Sequence, residues 1–125
     1  MEMTTNAISW FEIPVEDFDR AREFYSKIFD FEMPTMPMGP VTMGFLLHDR
    51  EKGVGGAIVK GEGTPSPHGP QVYLNGGSDL QVVLNRVEGA GGQIAIPKTD
   101  IGQGFGFFAF FTDTEGNRIG LHSMA

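Results

Sequence analysis

The chain has 125 residues with no cysteine, and its 16 acidic against 9 basic side chains leave a formal net charge of -7. Such a length suits one compact domain, residues 1–125, since half of it would bury too little surface to be stable alone. Without cysteine there is no disulfide, thiolate chemistry or cysteine zinc site, and an acidic field with no Lys/Arg cluster excludes nucleic acid and anionic membrane as partners.

The opening MEMTTNA carries no basic segment followed by an apolar run, and no apolar stretch approaches the roughly 20 residues that span a bilayer. A cytoplasmic protein is therefore expected. From Ile8 the alternation of Phe11, Ile13 and Val15 predicts a strand that breaks at Glu16-Asp17 into an amphipathic helix. Phe18, Ala21, Tyr25, Ile28 and Phe29 share the apolar face of this helix, Asp19, Arg20, Arg22, Glu23 and Lys27 share the polar one, and Asp17 suits the N-cap. Asp30 to Pro40, rich in Pro and Met, argues against a central strand and for an edge-like segment. Val41 to His48 and Gly55 to Lys60 read as a hairpin around the turn at Asp49 to Gly53. Gly61 to Gly69, GEGTPSPHG, is punctuated like a linker.

The order then repeats. Gln71 to Asn75 predicts a strand, and Ser78-Asp79 opens a second helix with Leu80, Val83, Leu84, Val87 and Ala90 on one face. Ser78 with Gln81 has the spacing of a capping box, and Gly89 to Gly92 ends the helix. Gln93 to Pro97, Phe107 to Thr112 and Arg118 to His122 predict three more strands, with a turn at Asp113 to Asn117. The whole is α+β, two tandem βαβββ modules of about residues 7–60 and 70–125 joined by linker 61–69. They curve a mixed sheet around a cleft, with helices on the outer face.

EIPVEDFDRAREFY with KIFDF resembles the opening strand and helix of the vicinal oxygen chelate superfamily, which includes glyoxalase I, bleomycin resistance proteins and extradiol dioxygenases. FTDTEGNRIGLH resembles its closing hairpin. The resemblance implies a divalent-metal cleft whose ligand positions fall here at Trp10, at Gln71 or Val72, at Gly56 or Ile58, and at Gly120. Of these only Gln71 has a side chain able to ligate, whereas such a site needs roughly three protein donors. No metal or cofactor is expected. The resemblance also implies a homodimer.

Strand parity turns Trp10 and Glu12, Gln71 and Tyr73, and Arg118, Gly120 and His122 toward the cleft. Glu12 and His122 are the candidate acid/base residues. Glu12 among aromatic neighbours would be desolvated, unless it lies near a rim and is either solvated or paired with Arg118. Trp10, Gln71, Tyr73, Arg118 and Gly120 are the candidate ligand-binding positions, with Phe105 or Phe107 of the KTDIGQGFG loop lining an apolar pocket. Met33, Met36, Met38 and Met43 form either an adaptable wall or ordinary filling. His48, beside a turn, and His68, in the linker, are expected to be exposed. A non-standard metal site from Glu12, His122 and Gln71 stays open.

Three readings follow. One is a glyoxalase/bleomycin-resistance-like protein that binds a small apolar or aromatic molecule, either sequestering it or converting it without metal through Glu12 or His122. The others are a metal-dependent lyase, isomerase or dioxygenase with displaced ligands, and a non-catalytic interaction module.

Overall fold

The computed structural model of the chain describes residues 5–125, and among them no helix is long and apolar enough to cross a membrane. The elements in chain order are β1 (Phe11–Pro14), α1 (Phe18–Phe29), β2 (Thr35–Met38), β3 (Val41–Phe45) and β4 (Gly56–Lys60), then β5 (Tyr73–Asn75), α2 (Leu80–Val87), β6 (Gln93–Asp100), β7 (Phe107–Thr112) and β8 (Arg118–Ser123). They form two four-stranded mixed sheets of matching topology, β1-β4-β3-β2 and β5-β8-β7-β6. The architecture is thus α+β, two tandem βαβββ modules. In each, the first strand runs parallel to the last, Ile13 opposite Ile58 and Leu74 opposite Leu121, and the remaining pairs are antiparallel.

Local chemistry explains where the elements begin and end. Asp17 caps α1 by accepting the Arg20 N–H at 3.0 Å. Asp30 closes the helix in the left-handed region with φ 53°, its N–H donating to the Ser26 carbonyl. The Pro/Met segment does form a strand, β2, at the sheet edge, where Pro37 needs no ladder hydrogen bond to an outer neighbour.

Two details depart from the sequence reading. The N-cap of α2 is Asp79, whose Oδ1 accepts the Gln81 N–H at 2.9 Å and the Lys98 ammonium at 2.8 Å, so Ser78 and Gln81 make no capping box. A carboxylate beside a lysine is the stronger acceptor and takes the cap. β6 continues through Pro97 to Asp100, because it is an edge strand whose register shifts on either side of Ile96 absorb the ring.

One hydrophobic cluster serves both modules. It joins Ile13, Val15 and Ile58 of the first with Leu74, Ala109, Phe111, Ile119 and Leu121 of the second, through the buried faces of α1 and α2. Phe24, absent from the expected apolar face, is fully buried, while Phe18 and Phe29 are half-buried. Its ring lies 5.7 Å from that of Phe111, and at Gly92 an added Cβ would come within 2.8 Å of it. Helix α1 of the first module is thereby seated on the second.

Polar bonds fasten the same junction. The Asp113–Asn117 turn accepts the Tyr25 hydroxyl on Asp113 Oδ2 at 2.7 Å, and Asn117 Nδ2 donates to the Pro14 carbonyl at 2.8 Å. Glu115 takes the backbone N–H groups of Glu16 and Asp17 at 3.0 and 2.7 Å, and the Arg20 guanidinium at 2.7 and 3.0 Å. A carboxylate at a helix N-terminus meets both orphan N–H donors and the positive end of the dipole.

Candidate functional site

The alternation of β8 buries Ile119 and Leu121 against the helix and turns Arg118, Gly120 and His122 to the opposite face. The register places Tyr73 of β5 directly beside Gly120 and Asn75 beside His122. Gly120 has no side chain, so the Tyr73 ring settles over it, and a Cβ there would stand 2.6 Å from that ring. From the other side β7 contributes Phe110 opposite Gly120 and Phe108 opposite His122.

The result is an aromatic platform. Tyr73 meets Phe110 edge to face at 5.3 Å, Phe108 meets Phe110 at 5.8 Å, and the Arg118 guanidinium lies 4.1 Å over the Phe110 ring. At its edge opens a hollow of about 1060 Å³, lined among others by Tyr73, Asn75, Asp100, Phe108 and His122. His122 Nε2 lies 2.8 Å from the Phe105 carbonyl. A carbonyl only accepts, so that nitrogen carries the proton and the bond ties the ring to the 101–106 loop.

The structure thus brings together Tyr73, Arg118, Gly120 and His122. Gln71 is exposed just ahead of β5, and Phe105 is exposed at the loop tip. Phe107 turns to the helix side, where it packs against the core beneath the Lys98 ammonium. Phe108 and Phe110 take the open face instead. The run from Phe105 to Phe111 has aromatic rings at both parities, so alternation could not separate them; only the pairing of Phe110 with Gly120 does.

Glu12 lies elsewhere. It is exposed rather than desolvated, and it accepts the Trp10 indole N–H at 3.3 Å. Among the described residues it makes no ion pair with Arg118. Trp10 stands beside Phe45 in a second hollow of about 530 Å³, which has no residue in common with the one at His122. Of the methionines, Met33 is fully buried in the core while Met36 and Met38 are exposed. His68 is exposed, but His48 is half-buried, its Nδ1 3.2 Å from the Leu46 carbonyl.

Among the described residues no group of three His, Cys, Asp or Glu side chains is arranged to hold a metal ion. At the positions where the resemblance puts metal ligands, Trp10, Gly56, Ile58 and Gly120 have no donor atom to offer, and the space over Gly120 is occupied by a phenol ring. These residues do not fit such a centre.

Comparison with solved structures gives the same fold at low identity. A glyoxalase I mutant from Zea mays is 19% identical with a TM-score of 0.69, covering 92% of this chain, which spans only 45% of the maize chain. TnmS3, an antibiotic binding protein from Streptomyces sp. CB03234, is 21% identical with a TM-score of 0.61 and 98% of each chain covered. A fosfomycin resistance protein, FosX, from Listeria monocytogenes, solved with Mn(II) and sulfate, is 17% identical with a TM-score of 0.66, covering 97% of this chain and 91% of its own. No curated protein matches the chain significantly. The family model described as Glyoxalase/Bleomycin resistance protein/Dioxygenase superfamily matches residues 7–121, nearly the whole length, and to that superfamily the chain belongs.

Proposed function

We propose that this protein binds a small, largely apolar or aromatic molecule on the open face of the second module, with the family's metal site lost. The observation that carries this reading is the Tyr73–Phe110–Phe108 platform, with Arg118 stacked on it and His122 at the rim of the hollow. Flat apolar walls supply contact area, and a few polar groups orient what lies on them. TnmS3, a neighbour in fold, is an antibiotic binding protein, so sequestration of a drug-like molecule is one form of this role. In an enzymatic form His122 moves the proton while Tyr73, Gln71 or Arg118 orient the ligand. Glu12 joins it when the face of one module is set against the face of the other module in a second copy, and we therefore expect a homodimer; the location we expect, from the sequence alone, is cytoplasmic.

The test uses an anilinonaphthalene sulfonate dye as an aromatic probe, titrated with and without chelator, alongside metal analysis. Saturable dye binding that survives chelation, at sub-stoichiometric metal, is the expected result. Tyr73→Ala and Arg118→Ala should each weaken it by about tenfold, the loss of roughly 1.4 kcal/mol of ring or cation–π contact. Gly120→Ala should do likewise by lifting the Tyr73 ring. Stoichiometric Ni, Zn, Fe or Mn, with binding abolished on chelation, would establish the metal-dependent reading instead.

A further inference from the structure

The hollow beside Trp10 lies on the first module, and its chemistry differs from that of the Tyr73 platform. Trp10 and Phe45 present two aromatic walls at 61° to one another, centroids 6.1 Å apart. Phe31 and Met36 line the same space, and so does the exposed carboxylate of Glu32. The Trp10 indole N–H donates to Glu12 at 3.3 Å. That bond fixes the ring's rotation and sets a negative charge at its positive edge, which makes the face a better partner for a cation. Two basic groups also border the hollow. The His48 ring is turned to the Leu46 carbonyl, and the exposed Arg50 is among the residues that line the same space. The formal charge of -7 raises the local concentration of cations around the molecule.

We infer that this hollow is a binding site for a small, weakly hydrated organic cation of the quaternary ammonium type, seated against Trp10 and Phe45 with Glu32 as its counter-charge. Such a cation gives up little hydration on entering an apolar pocket and gains attraction from every ring face it meets. A compact primary ammonium is more strongly hydrated and fits less well. Within one chain this hollow shares no lining residue with the one at His122.

Trp10 is the only tryptophan in the chain, so its fluorescence reports this hollow directly. The probes are choline and its uncharged analogue, in which carbon replaces the quaternary nitrogen. Choline should perturb the emission saturably, and the analogue should bind at least about tenfold more weakly. Glu32→Gln, at an exposed position, should lower choline affinity by about threefold to tenfold with an unchanged melting temperature. Equal binding of the two probes, or no saturable response to choline into the tens of millimolar, would overturn the inference. Neither outcome bears on the dye titration.

Discussion

Glu115 is drawn in two directions. Withdrawal from solvent pushes its carboxyl pKa up, but the Arg20 guanidinium, the Asp17 and Glu16 amides and the Thr114 hydroxyl overcome this and hold it at about 2. Its side chain has no solvent exposure. Because the folded value lies below the usual 4.5, the stabilisation is complete above that pH and is lost as pH falls toward 2. Asp113 works the other way. Burial raises its pKa against the donors Tyr25 and Asn117, so its contribution is full at low pH and fades as pH rises through its folded value. Glu115→Gln should therefore destabilise the protein at pH 7 by on the order of 2–3 kcal/mol. Near pH 2.5, roughly where Glu115 itself becomes protonated, the difference should have shrunk to a fraction of that. Urea midpoints at the two pH values measure it; an equal loss at both would assign the effect to packing.

At the level of elements, α1 ends on a residue that suits it poorly. Asp30 holds φ 53°, a conformation in which a Cβ is strained, and puts a negative charge at the negative end of the helix dipole. Asp30→Gly should raise stability by about 0.5–1 kcal/mol, seen as a higher melting temperature. An unchanged or lower value would mean that the Asp30 side chain makes a compensating bond. The N-terminus of the same helix is well served, by Asp17 from within and Glu115 from the other module. Helix α2 draws its own support from β8, whose Ser123 hydroxyl accepts the Leu80 N–H at 2.9 Å. Each helix is thus tied at its start to the hairpin strand or turn of the second module.

For the whole molecule, the Tyr25–Asp113 bond is a buried polar contact between modules, with both residues withdrawn from solvent. Burial raises the Tyr25 pKa well above its ordinary value, with the charge of Asp113 and the hydrogen bond adding to it, so the hydroxyl stays protonated and donates. Tyr25→Phe leaves a buried carboxylate one donor short and should cost about 1–3 kcal/mol. Hydrogen exchange should then rise in both modules together, since α1 and β7 share one cluster. Exchange confined to the first module would show that the two open separately.

Much of this was legible in the chain. The helical spacing in Phe18–Phe29 and Leu80–Val87, the repeated strand–helix–hairpin order and the alternation in Arg118–Ser123 each reflect a local period, and a local period is a property of sequence. Gly120 and His122 fall on one face of β8 by that means alone, whereas Tyr73 stands beside Gly120 through the pairing of β5 with β8. What came from packing was partnership: that Asp79 rather than Ser78 takes the cap, that Phe24 reaches Phe111, that Phe110 rather than Phe107 turns to the open face beside Tyr73, and that Glu12 sits against Trp10 on the first module while His122 borders the hollow on the second. Those outcomes depend on the register between strands and on contacts between residues far apart in the chain, such as Glu16 and Glu115, which no local pattern encodes.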